Sequence, residues 1–186
     1  MTILPQRFKR LVTAFLLGVL AALAAVAQEQ DLDDLFSALS RAEEPAASAI
    51  EEKIWQEWSQ SGSPSMDLLL QRGREALEAG DPQLAIEHFT ALIDHAPEFA
   101  EGYNARATAY FQAGLFGPSL GDIRQVLARN PRHFGALAGL ALILEDLGDK
   151  QGALAAYREV QRIYPAREGL EENIDRLERQ VEGQDI

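Results

Sequence analysis

The sequence predicts an all-α fold, a solenoid of stacked helix-turn-helix pairs. Three observations predict it. Gly80, Gly114 and Gly148 are 34 residues apart, and so are Pro97, Pro131 and Pro165. Four further columns keep that interval: Gly73, Ala107 and Ala141; Ala85, Ser119 and Ala153; Phe89, Ile123 and Tyr157; Leu92, Val126 and Val160. Beyond them, Leu170, Ile174, Leu177 and Val181 form a single apolar stripe at helical spacing.

Along the chain, the first element is an address. Arg7, Lys9 and Arg10 precede an apolar run from Leu11 to Ala27, which closes on Ala25-Val26-Ala27 and turns polar at Gln28. A basic start, an apolar middle and small residues at the exit are the layout of a secretory signal peptide. Residues 1–27 are therefore expected to be cleaved after Ala27. The alternative is retention as an anchor helix, for which 17 apolar residues sit at the short end. The expected location is periplasmic or secreted, with no stable membrane insertion after cleavage.

Residues 28–65 follow. Leu32, Leu35, Phe36 and Leu39 make one helical stripe, and Ile50, Ile54, Trp55 and Trp58 a second. Pro45 separates them, and Ser61-Gly62-Ser63-Pro64-Ser65 marks a turn. One period back from the first clear repeat, Leu35 falls under Leu69 and Trp55 under Phe89. The segment thus reads as a degenerate additional helix pair capping the amino end, lacking the glycine and small-residue columns. At this spacing both tryptophans read as core.

The columns of the repeat carry physical roles. The Gly73, Ala107, Ala141 column and the Ala85, Ser119, Ala153 column keep side chains small where two helices approach closely. Gly80, Gly114 and Gly148 end each first helix in the left-handed conformation that glycine adopts cheaply. Asp81-Pro82 and Asp149 start the second helix. The prolines end it. Residues 66–99, 100–133 and 134–167 together resemble three consecutive tetratricopeptide repeat (TPR) motifs, and a 34-residue period is the one expected for that family. Some columns depart from its pattern: Arg72 and Arg106 stand where leucine is usual, Leu69, Tyr103 and Leu137 replace tryptophan, and Gly117-Pro118 suggests a late start for the second helix of the middle repeat. Residues 168–186 are expected to be a capping helix, which a repeat array needs over its apolar end, followed by a tail.

Composition narrows the function. The formal net charge is −12, which repels phosphate backbones, so nucleic acid is not an expected partner. There are no cysteines, so thiolate metal sites, disulfides and cysteine nucleophiles are excluded. The three histidines, His88, His95 and His133, form no HExxH-type pair and read as surface or repeat-boundary residues. No nucleophile elbow, P-loop or dinucleotide fingerprint is present. The chain is expected to be no enzyme and to need no cofactor or metal.

The resemblance implies a concave side lined by the first helix of each pair. At three- and four-residue spacing its groove residues are Asp67, Leu70, Arg74, Leu77 and Glu78, then Glu101, Asn104, Thr108, Phe111 and Gln112, then Gly135, Ala138, Leu142, Glu145 and Asp146. Arg74 is the clear cation of this set, and Glu145 and Asp146 make one end acidic. Some TPR domains grip a terminal carboxylate with several basic residues. Here Asn104 and Arg74 supply part of such a set and the other cations are missing. A segment with apolar anchors and a basic end fits better. The expected function is that of an envelope scaffold or adaptor binding another protein or peptide. The rival is a self-associating structural protein, a homo-oligomer. An enzyme using the groove for substrate ranks last.

Overall fold

The computed structural model describes residues 31–183. The signal-peptide reading of residues 1–27 lies outside them. Residues 31–39 are helical (α1), and eight further helices follow among the described residues: α2 (Ala46–Trp58), α3 (Pro64–Glu78), α4 (Pro82–His95), α5 (Ala100–Gln112), α6 (Phe116–Arg129), α7 (Phe134–Asp146), α8 (Lys150–Ile163) and α9 (Leu170–Glu182). None of them is long and apolar enough to cross a membrane.

Helices α3 to α8 form three pairs in which each helix packs on the next. The periodic columns place them. Gly80, Gly114 and Gly148 have φ of +77°, +71° and +81°, and each breaks the chain between the two helices of its pair. The Asp81 carboxylate accepts the Leu84 amide at 3.0 Å, and Asp149 accepts that of Gly152 at 2.9 Å, so α4 and α8 start on side-chain caps. Gly73 is small because a Cβ there would lie 2.2 Å from the Phe89 ring. The interior columns Phe89, Ile123, Tyr157 and Leu92, Val126, Val160 are all buried.

Two expectations need correction, and one noted departure from the pattern acquires a role. The second helix of the middle repeat does not start late: α4, α6 and α8 begin at Pro82, Phe116 and Lys150, in register. Pro118 falls in the first turn of α6, where its missing N–H leaves no intrahelical bond unmade. Arg106, at a leucine position, forms a two-pronged pair with Asp122 (2.7 and 2.9 Å) and also donates to Thr90 at 3.1 Å. A polar contact thus joins the first and second repeats where the pattern expects an apolar one.

The second correction is the larger. Helices α1 and α2 form, but they do not cap the amino end. Phe36, Leu39, Ala47 and Ile54 are buried in one core with Phe134, Leu137, Ala141, Tyr157 and Tyr164, the core of the third repeat. Leu70, Ala85, Phe89 and Leu92 of the first repeat form a separate core. At the carboxyl end, α9 packs on α8 and buries Leu170, Ile174 and Leu177.

Candidate functional site on the concave face

The first helices of the three pairs, α3, α5 and α7, line one face, and two different things fill it. Toward their amino-terminal ends lies the chain's own helix α2. Beyond it a pocket of about 350 Å³ opens between α5 and α7.

The pocket is built from residue spacing. Asn104, Thr108, Phe111 and Gln112 reach it from α5, and Gly135, Ala138 and Leu142 from α7. Ser119 and Ile123 of α6 also line it. Small residues at 135, 136, 138 and 139 keep α7 narrow there, which is what leaves the space. Leu142 is 47% exposed and Phe111 stacks on Phe116 at 5.7 Å between ring centres. The lining is an apolar floor with amide and hydroxyl groups along one side. Among the lining residues the charged one is Arg167, from the turn between α8 and α9, and there is no carboxylate. Such a surface can desolvate an apolar side chain and hydrogen-bond a backbone. It holds no nucleophile-base pair. Among the described residues no group of three or more His, Asp or Glu is placed to hold a metal ion.

Seven of the fifteen groove residues expected from the sequence therefore meet: Asn104, Thr108, Phe111, Gln112, Gly135, Ala138 and Leu142. Leu70, Leu77, Arg74 and Glu145 do not join them. Leu70 is 2% exposed and belongs to the first repeat's core, with residues of α4 and α5. Leu77 is half-buried against the same core. Arg74 is not a free cation: its Nη2 donates to Glu101 at 2.7 Å and to Ser59 of the α2–α3 turn at 3.0 Å. Glu145 faces the capping helix, where Arg176 binds it with two hydrogen bonds of 2.6 and 3.1 Å. That bond is the main reason its carboxyl is held below the ordinary carboxylate range. Of the acidic end expected for the groove, Glu145 is thus spent on the cap and Asp146 alone stays exposed, which weakens the case for a basic-ended partner.

Sequence reasoning missed a buried polar network on the other half of the face. Glu101 is 4% and His133 1% exposed. The Ala136 amide donates to His133 Nδ1 at 3.1 Å, so the ring caps α7. With Nδ1 accepting, the neutral ring carries its proton on Nε2 and donates it to Glu101 at 3.2 Å. Asn104 also donates to Glu101, at 3.1 Å. The carboxylate is thus met by α3, α5 and the start of α7, one helix from each repeat. His133 is no surface residue. The signal was its place one residue before a periodic helix, where a capping side chain belongs.

Helix α2 lies on this network. Trp58 stacks on His133 with ring centres 4.1 Å apart, and Trp55 meets the same ring edge-on at 5.4 Å. Phe134 touches Phe36, Trp55, Trp58 and Tyr164. The Tyr164 hydroxyl donates toward Glu51 at 3.2 Å and Glu44 at 3.3 Å. Burial, then the Glu51 charge, pushes that phenol up to about 12.

A stack of helix pairs with a lined concave face defines a repeat scaffold, a class built to present a surface. The model for the tetratricopeptide repeat matches residues 70–117 and 119–168, and the chain belongs to that family. A TPR repeat-containing protein of Rhizobium etli is 38% identical over 161 residues, covering 86% of this chain and 79% of its own length. Among solved structures, the Sgt2 TPR domain from Aspergillus fumigatus superposes with a TM-score of 0.61 at 22% identity, over 66% of this chain and 83% of that one. The first TPR of Spaghetti bound to an HSP90 peptide gives 0.60 at 20%, over 62% and 92%. At these identities the structures share the fold.

Proposed function

We propose that this chain is a non-catalytic interaction scaffold that holds a peptide or protein segment in the pocket between α5 and α7. One observation carries the reading: Asn104, Thr108, Phe111, Gln112 and Leu142, chosen by groove spacing, converge on a single apolar pocket of about 350 Å³. The apolar floor suits one inserted side chain. The Asn104 and Gln112 amides suit the backbone of an extended segment. The peptide held by the Spaghetti TPR supports the fold's aptitude for such a ligand. The basic, apolar, small-residue order of residues 1–27 supports a place in the cell envelope, with a partner drawn from there.

The test is a crosslinked pulldown from envelope extract, with residues 28–186 as bait. A parallel bait carries Asn104→Ala, Phe111→Ala and Leu142→Ala. A protein captured by the first and lost with the second supports the reading. Equal capture by both removes the pocket as the site. Capture of the chain itself alone would replace the adaptor with a self-associating scaffold. Mass analysis of the exported protein checks the address: a chain beginning at Gln28 is expected.

A further inference from the structure

The other half of the concave face already has an occupant, and its chemistry is legible. Along α2 and the residue after it, Glu51, Ile54, Trp55, Trp58 and Ser59 face the repeats, a helical stripe at i, i+3, i+4, i+7 and i+8. Ile54 is buried in the shared core, and the other four each meet a fitted counterpart. Gly135 leaves room for the Trp55 indole, since a Cβ there would lie 2.7 Å from it. His133 offers a flat ring to Trp58 at 4.1 Å. Arg167 stands 3.8 Å from the Glu51 carboxylate, which also takes the Tyr164 hydroxyl. Arg74 binds Ser59 at the helix end. The counterparts come from the first repeat (Arg74), the boundary between the second and third (His133, Gly135) and the stretch before α9 (Tyr164, Arg167), so the stripe spans the array rather than extending it. In α1, Asp33 meets Arg132 at 2.6 Å. An acidic helix is therefore welcomed at this face of a protein whose net charge is −12.

We propose that this half of the face is a receptor for an amphipathic helix bearing an acid, an apolar residue and two aromatics at i, i+3, i+4 and i+7. Helix α2 fills it within the chain, and a partner helix of that pattern takes it in exchange. The inference rests on the reading of the concave face as a binding surface, but not on what the α5–α7 pocket holds.

The probe is a fluorescein-labelled peptide of residues 46–58, titrated by anisotropy into the full chain and into a Trp55→Ala/Trp58→Ala variant. The variant weakens the internal occupant and leaves His133, Gly135 and Arg167 in place. Binding at least about ten-fold tighter than to the wild type is expected, which corresponds to about 1.4 kcal/mol. Adding Gly135→Leu should abolish it. A folded variant that binds the peptide no better than wild type overturns the proposal and makes α2 a structural helix only. If circular dichroism shows the double variant unfolded, Trp58→Ala alone gives the same comparison with a smaller gain. Phe111→Ala, in the neighbouring pocket, should leave peptide binding unchanged. If it abolishes binding, the peptide sits in the pocket and the receptor assignment fails, while the pocket reading stands.

Discussion

At the carboxyl end of the array, α9 lies on α8 and buries Leu170, Ile174 and Leu177. At the amino end, α3 shows solvent Gln71, Arg72 and Glu75, and the helix pair that precedes it in the chain is packed against α7 instead. Both flanking segments carry an apolar stripe. What differs is the face each end of the array offers. Leu170, Ile174 and Leu177 of α9 join the third repeat's core together with Ala153, Tyr157 and Val160 of α8, whereas Arg72 on α3 is exposed. An array end needs covering when its outer face is apolar, where each buried side chain contributes about 1.5–3 kcal/mol. A polar outer face needs none. Helices α1 and α2 were then free to bury their stripe where large apolar surface was available, around Phe134.

The comparison can be broken at several points. The largest effect is expected at Phe134, which is fully buried and touches four aromatic rings: Phe134→Ala should cost about 3–5 kcal/mol in urea denaturation and release α1 and α2 as well. A loss under 1 kcal/mol would mean the hairpin is not anchored there. Leu177→Ala in the cap, also fully buried, should cost about 2–5 kcal/mol. Ala141→Phe should overpack the α7–α8 contact by about 1–3 kcal/mol, and an unchanged melting point would contradict the small-residue column.

The two joints can also be compared by titration. Tyr157 beside Glu145 and Tyr164 beside Glu51 are both raised from 10.0 to about 12, in each case first by burial. A phenol with a raised folded pKa gives stability that is complete below pH 10 and lost as pH climbs from 10 to about 12. Urea midpoints should therefore fall across that window. Ultraviolet absorbance should show Tyr164 ionising at lower pH in Glu51→Gln, and Tyr157 at lower pH in Glu145→Gln. If neither carboxamide moves its tyrosine, the carboxylates are not the partners. The smallest effect is expected at the amino end. Arg72→Leu should change stability by no more than about 0.5 kcal/mol, because the side chain is exposed. A gain well above that would show a hidden surface waiting for a cap.

The repeats were legible because a 34-residue period constrains every copy at once: the glycines mark turns, the alanines mark contacts, and no single position has to be right. The pocket was legible in part for the same reason. Asn104, Thr108 and Leu142 sit at equivalent faces of their helices. Leu70 shares the column of Asn104 and Ala138 yet is buried in the first repeat's core, so the same column does not face the same surroundings in every repeat. The placement of α1 and α2 was not legible, because it depends on residues outside the periodic columns. Gly135 aligns with Glu101 and Asp67, and nothing in that column announces an indole's resting place. Tyr164 and His133 sit at repeat boundaries, where single residues carry little pattern. Helical periodicity showed that α2 has an apolar stripe, but not which distant surface would match it.

The Tyr164 bonds to Glu44 and Glu51 join residues 120 and 113 positions apart. Within the repeats, packing is between neighbours in sequence, the kind of contact that forms quickly. Docking the first two helices instead requires closing a loop of more than a hundred residues, an entropic cost that local repeat pairing does not carry. The segment synthesised early is therefore the one whose contacts must wait longest. Until Phe134 and Tyr164 have been made and folded, Phe36, Trp55 and Trp58 have no surface to rest on. This sets an order of events: the array assembles first, and the amino-terminal helices close over a face that is already complete.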